Sequence, residues 1–180
     1  VSEAIIKRQA EESVEHNAES PEVYNVVTVA RLVEEKGIWE ALEACKILVE
    51  RGIRIRWDWI GDGSERRRLN ERIKDFGLER CFYLLGEKAN PYPYMKNATV
   101  YVQPSRTEAH CVAVEEALLL ECPVVVTNIP SFHGQISNME TGLIAEPGPV
   151  GLANSIENLC KKEELRSLLK ANLVERKNQQ

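Results

Sequence analysis

Residues 24–61 read YNVVTVARLVEEKGIWEALEACKILVERGIRIRWDWIG, and the fold is decided in this stretch. Tyr24 to Ala30 is a β-branched run of strand length. From Ile38 to Arg51 the apolar residues recur at helical spacing, and Arg54 to Ile60 returns to strand character before Gly61. Moving outward, the theme repeats. Ser64–Phe76 reads as a helix, Cys81–Leu85 as a strand, and Tyr92–Asn97 as a short helix. Thr99–Val102 is a strand, His110–Glu121 a helix, Pro123–Thr127 a strand and Gly142–Ala145 a last short strand. Helices from Val150 to Cys160 and from Lys162 onward complete the chain. Alternation of this kind predicts an α/β fold, doubly wound and Rossmann-like, with a parallel sheet of about six strands and helices on both faces.

Upstream, Ser2 to Glu15 is a charged, helix-compatible segment, and His16 to Pro21 reads as a polar linker. Residues 1–21 are therefore expected to be a connection, and residues 22–180 the domain proper. With 180 residues and 43% apolar content there is one core and no room for a second domain. The first residue is Val1, which is expected of a chain cut from something longer or processed.

The net charge of -5 argues against a nucleic-acid or anionic-membrane surface, since those partners call for concentrated Lys and Arg. Any bound phosphate must be met locally. Five cysteines, at 45, 81, 111, 122 and 160, form no C-x-x-C and mostly sit in apolar runs, the pattern of reduced thiols in a cytoplasmic protein. No apolar run reaches the roughly 20 residues that span a bilayer. His16 and His133 lack metal-ligand spacing, and no metal site is expected.

Sheets of this type bind ligands outside the carboxyl ends of their strands, so the loops beginning at Arg31, Gly61, Gly86, Gln103 and Thr127 are where chemistry is sought. The first loop, Arg31-Leu32-Val33-Glu34-Glu35-Lys36-Gly37, offers a guanidinium fork and a mobile ammonium. Together they suit a diphosphate that gains charge as it leaves. They equally suit surface charges pairing with Glu34 and Glu35, and both readings stand at this point.

The second loop, Gly61-Asp62-Gly63-Ser64-Glu65, is not a dinucleotide fingerprint, because Arg66 stands where the third glycine belongs. It reads as a tight turn with Ser64 capping the next helix, and Arg66, Arg67, Arg68, Arg72 and Lys74 as a solvated face. A redox Rossmann enzyme is disfavoured accordingly.

The stretch from Gln103 to Leu120 opens a helix that is apolar nearly all round, and so is expected to be buried, yet it carries glutamates. Glu108 precedes the helix and Glu116 lies eight residues on, about 12 Å at roughly 1.5 Å per residue, with free backbone N–H groups between them. An extended nucleotide sugar has matching dimensions: hydroxyls at one end, diphosphate at the helix tip, ribose diol at the other end. The alternative is that Glu116 pairs with a core Arg and Glu108 is a capping acid.

Several motifs follow one another in order. They are Arg31-Leu-x-x-x-Lys36-Gly37, Gly61-Asp-Gly-x-Glu-Arg66, Phe82-Tyr-Leu-Leu-Gly86, Pro104-Ser-Arg-x-Glu108, Glu108 and Glu116 spaced before Ala117, Pro123-Val-Val-Val-Thr127, and Thr141-Gly-Leu-Ile-Ala145. Jointly they resemble the C-terminal domain of glycosyltransferase family 4, retaining enzymes of the GT-B fold, over Val26 to about Leu168. The resemblance implies that Arg31 and Lys36 hold the diphosphate, Glu108 positions hydroxyls of the donor sugar, and Glu116 binds the ribose. Backbone amides of His110, Cys111 and Val112 would meet sugar and phosphate, and residues around Leu85 and Glu87 the base.

The resemblance further implies a hexosyl transfer from a UDP- or GDP-sugar, metal-independent and without a cofactor, in polysaccharide, lipopolysaccharide or glycoconjugate biosynthesis. An N-terminal acceptor-binding domain of the same protein would be the partner, and any peripheral membrane contact would come through that half. On this reading the chain alone is inactive. The alternative is a stand-alone, non-catalytic nucleotide-binding or interaction module of the same fold. Departures from the pattern fall at Ala30 and at Ala109 to Val112, which bear on which sugar is taken, and at Phe132, His133 and Gln135, which read equally as altered specificity or as plain surface drift.

Overall fold

The structure, a computed structural model, describes residues 2–12 and 23–179. The elements run α1 (Glu3–Ala10), β1 (Tyr24–Val29), α2 (Ile38–Glu50), β2 (Ile55–Ile60), α3 (Arg66–Asp75), β3 (Phe82–Gly86) and α4 (Tyr92–Lys96). Then come β4 (Val100–Gln103), α5 (Val112–Leu119), β5 (Val124–Thr127), α6 (Pro130–His133), β6 (Leu143–Ala145), α7 (Gly148–Lys161) and α8 (Glu163–Asn178). The expected linker, His16–Pro21, and the expected domain start at Glu22 lie outside the described residues.

Six strands form one sheet in the order β3-β2-β1-β4-β5-β6, every pair parallel. Both faces are buried, so the strands need apolar residues at successive positions rather than at alternate ones. Trp57, Trp59, Val100, Val102 and Val125 face a core closed by α2, α3 and α7. Val27, Ile60, Tyr101, Val124 and Val126 face the core under α1, α4, α5 and α6. α8 contributes Leu169 to the first core and Leu173 to the second.

The two tryptophans are fully buried, and their indole N–H groups are satisfied by neighbours on or just after β1. Trp57 Nε1 donates to Thr28 Oγ1 at 3.1 Å, and Trp59 Nε1 to the Ala30 carbonyl at 2.9 Å. The second bond ties the end of β2 to the start of the first loop.

Three expectations are corrected. Ser64 does not cap α3, which starts at Arg66 with no side-chain cap; the turn before it is closed by Asp62 Oδ1 accepting the Gly63 N–H at 2.8 Å. Arg66 leaves the solvated face: its guanidinium donates to the Leu84 carbonyl of β3 at 3.3 Å and stands 3.7 Å from Asp62 Oδ2. The helix expected over His110–Glu121 is shorter, and it is not buried all round: Val112 is 64% exposed. It ends in a Schellman motif, with Cys122 N–H on the Ala117 carbonyl, Glu121 N–H on the Leu118 carbonyl, and Glu121 itself left-handed at φ 58°.

Candidate functional site

β1 and β4 are neighbours at the centre of the sheet, and strand order reverses between them. The loops that leave their carboxyl ends diverge to opposite faces and frame the crevice where such sheets take ligands. Residues 30–37 form one wall and residues 104–111 the other.

The first wall is locked from both sides. Leu32, fully buried, donates its N–H to the Asp62 carbonyl at 3.0 Å and accepts the Glu65 N–H at 3.1 Å. A 3₁₀ turn, Glu34–Lys36, then ends at Gly37, whose φ is 75°. A Cβ at Gly37 would lie 1.8 Å from the Pro104 carbonyl oxygen, so only glycine lets the two walls meet. Arg106 fastens the same contact, its N–H on the Glu35 carbonyl at 2.8 Å and its guanidinium on Glu40 Oε1 at 2.5 Å.

That close approach brings Lys36 to Glu108. Lys36 Nζ stands 2.6 Å from Glu108 Oε1, with only 20% and 9% of the two side chains exposed. Ser105 Oγ donates to the same oxygen at 2.9 Å, and receives in turn a bond from Gln103 Nε2 at 3.2 Å. Tyr101 closes the relay by donating to Gln103 Oε1 at 2.6 Å. Glu108 Oε2 has no protein partner among the described residues, which leaves one carboxylate oxygen to accept from a hydroxyl. Lys36 uses one of its three donors here, and two remain for a further acceptor.

Arg31 sits at the mouth of the first wall, exposed, and no hydrogen bond or ion pair of its side chain occurs among the described residues. Neither Arg31 nor Lys36 pairs with Glu34 or Glu35, and Glu108 caps no helix.

At the tip of α5 the N-cap residue is Cys111. Gln135, in the loop after α6, clasps it: Oε1 accepts the Cys111 N–H at 3.1 Å, and Nε2 donates to the Cys111 carbonyl at 2.9 Å and to Glu115 Oε1 at 3.0 Å. The Cys111 amide is thus already engaged inside the protein. His110 is exposed beside it, and Val112 opens the helix. Burial raises the Cys111 thiol above the usual range, opposed by the backbone amides of Val114 and Ala113 and by Lys36.

Glu116 forms a second cluster. Its Oε2 accepts a hydrogen bond from the hydroxyl of Tyr92 on α4, and it lines a cleft of about 320 Å³ together with Glu3, Ile6, Val112, Glu115 and Leu119. Burial, then the hydrogen bond that the phenol donates to Glu116 and the charge of that carboxylate, push the Tyr92 phenol up to about 12. Leu85, partly buried, packs against the core on this face, and Glu87 is exposed just past Gly86. Among the described residues no hydrogen bond or ion pair joins the Glu116 cluster to Lys36, Glu108 or Arg31.

Tyr92 and Gln135 are the polar partners that sequence reading did not supply. Each lies 24 positions from the residue it serves, and nothing in local spacing ties them. Among the described residues no group of three or more His, Cys, Asp or Glu is placed to hold a metal ion, and no helix is long and apolar enough to cross a membrane.

The family model described as glycosyl transferases group 1 matches residues 9–176. The capsular polysaccharide biosynthesis glycosyltransferase CapM of Staphylococcus aureus is 31% identical over 143 residues, covering 78% of this chain and 38% of that protein. Among solved structures, HepE of Anabaena in complex with UDP superposes with a TM-score of 0.79 at 21% identity, over 88% of this chain and 44% of that one. The C-terminal domain of a group 1 glycosyl transferase, LpcC, of Francisella tularensis superposes at 0.73 with 23% identity, over 86% of each chain. This chain spans less than two fifths of the length of the relatives it matches by sequence.

Proposed function

The chain belongs to the group 1 glycosyl transferases, and we propose that it is the donor-binding domain of a retaining enzyme that moves a hexosyl group from a UDP- or GDP-sugar to an acceptor. The product belongs to polysaccharide, lipopolysaccharide or glycoconjugate synthesis, in keeping with the named roles of CapM and of the amylovoran transferase AmsK of Erwinia amylovora. An N-terminal acceptor-binding domain of the same protein completes the site, and the cytoplasm is its place of work.

The observation that carries this reading is the Lys36–Glu108 pair at 2.6 Å, built across the point of strand reversal from two loops that glycine alone allows to touch. A half-buried cation held beside a carboxylate with a free oxygen suits a ligand that carries an anion next to hydroxyl groups. The diphosphate takes Lys36 and Arg31, and the sugar hydroxyls take Glu108 Oε2. As the bond from the anomeric carbon to the diphosphate breaks, negative charge grows on the leaving oxygens. Two cations already in place stabilise that charge most when it is largest, without a metal. The leaving phosphate accepts the acceptor's hydroxyl proton, so no side-chain nucleophile is needed from this domain.

His110 and Val112 offer their amides at the tip of α5, while Cys111 serves by holding that tip to Gln135. Glu116 takes the ribose, and Leu85 and Glu87 border the base.

Thermal unfolding with and without millimolar UDP or GDP tests the reading. One of the two nucleotides raises the melting temperature of the chain, and Arg31→Ala and Glu116→Ala each diminish the rise. A rise that persists unchanged in both variants contradicts it.

A further inference from the structure

Glu116 stands on the second turn of α5, and its two oxygens are not equivalent. Oε2 accepts the Tyr92 hydroxyl hydrogen bond, while Oε1 has no protein partner among the described residues. A lone glutamate on a helix surface samples several rotamers, and each must be given up when a ligand binds. The Tyr92 contact removes most of that freedom beforehand.

Tyr92 itself is well anchored. It is 8% exposed, and its ring belongs to the core that includes Ile6, Met95 and Phe132. Its N–H donates to Asn90 Oδ1 at 3.3 Å, and Asn90 Nδ2 donates to the Gln9 carbonyl of α1 at 2.8 Å. The phenol is therefore fixed by α1 and by the turn before α4, not by the residue it holds. Its raised pKa of about 12 keeps the hydroxyl a donor throughout the neutral range.

We propose that Tyr92 is a positioning residue for pentose recognition: its hydroxyl holds the Glu116 carboxylate so that Oε1 meets one hydroxyl of a ribose diol and the remaining lone pair of Oε2 meets the other. The inference rests on the donor-binding reading above. An ionised carboxylate has about four lone-pair sites, so one bond from Tyr92 leaves enough for both hydroxyls. The consequence is selectivity. A nucleotide lacking either hydroxyl leaves a pre-aimed carboxylate oxygen without its donor, which costs about tenfold in affinity for a bond to a charged group.

The test is calorimetric titration of the 180-residue chain with UDP or GDP and with the 2′-deoxy and 3′-deoxy forms of the same nucleotide. The wild-type chain prefers the ribonucleotide by about tenfold. Tyr92→Phe keeps the ring and lowers that preference about threefold or more. Glu116→Asp, which draws the carboxylate back by one methylene, lowers it likewise. In a Glu116→Ala background, adding Tyr92→Phe changes no affinity, because Tyr92 acts only through Glu116. A Tyr92→Phe chain that keeps the full wild-type preference overturns the positioning role and leaves the donor reading standing. So does a Tyr92→Phe effect of equal size with and without Glu116. Failure of the wild-type chain to bind either nucleotide overturns both.

Discussion

Lys36 and Glu108, 72 positions apart, meet at 2.6 Å where the loops after β1 and β4 cross the point of strand reversal. Neither loop reaches the other by its own conformation. The contact exists because Gly37 lies against Pro104 and because Arg106 is fastened to Glu35 and Glu40. Fold and site are joined at this point.

Removing the cation leaves Glu108, with 9% of its side chain exposed, beside Ser105 alone. Lys36→Ala therefore lowers the unfolding free energy by about 1–3 kcal/mol. Glu108→Gln keeps an acceptor for Ser105 and costs less. Urea unfolding of the two variants checks both the loss and its order.

The meeting of the loops is tested by two glycines with similar backbone angles. Gly37→Ala places a methyl 1.8 Å from the Pro104 oxygen at φ 75°, whereas Gly52→Ala at φ 80° meets nothing within 4 Å. The second bears only left-handed strain, about 1–2 kcal/mol. The first adds a backbone overlap and costs more than about 3 kcal/mol. Equal losses in denaturant unfolding would contradict the packing of Gly37 on Pro104.

Tyr92 predicts a response to alkali. Its folded pKa, near 12, lies above the usual 10, because burial and Glu116 both favour the neutral phenol. A group raised on folding contributes stability that is whole below its unfolded pKa and is lost as pH climbs through the folded one. Stability accordingly falls between about pH 10 and pH 12, and Tyr92→Phe falls less steeply over that window. Circular dichroism melts at stepped pH measure the two slopes.

Thiol reactivity follows burial. None of the five cysteines is in a disulfide, and Cys81 alone is only partly buried. Burial pushes Cys122 and Cys160 up to about 12, and raises Cys45 and Cys111 too, so little thiolate is present at neutral pH. Ellman's reagent at pH 8 titrates one thiol quickly and the other four only on unfolding. Rapid reaction of two or more would contradict the core packing.

The sheet was legible because its strands are buried on both faces. Continuous β-branched runs such as Val26–Val29 and Val124–Thr127 are hard to read otherwise, and the strand limits agree to within a residue. Lys36 and Glu108 were legible as candidates through their place after strands, but their partnership was not. Local spacing offered Glu34 and Glu35 as partners for Lys36 on equal terms with a diphosphate, and the contact to Glu108 depends on Gly37 meeting Pro104. The apolar composition of α5 misled in the opposite way. Val112 is exposed and Leu119 only partly buried, and both line the cleft beside Glu116. Tyr92 carried no signal at all, since only the packing of α4 and α1 beside α5 brings its hydroxyl to Glu116.

On the proposed function, one ligand engages both walls of the crevice, from Lys36 and Glu108 to Glu116. Amide chemical-shift mapping of the isotopically labelled chain during titration with UDP and GDP tests it most directly. One nucleotide is expected to move the resonances of residues 31–37 and 108–116 together, along a single saturation curve. Shifts confined to one wall, or clustered at the opposite end of the sheet around Gly52 and Arg80, would contradict it.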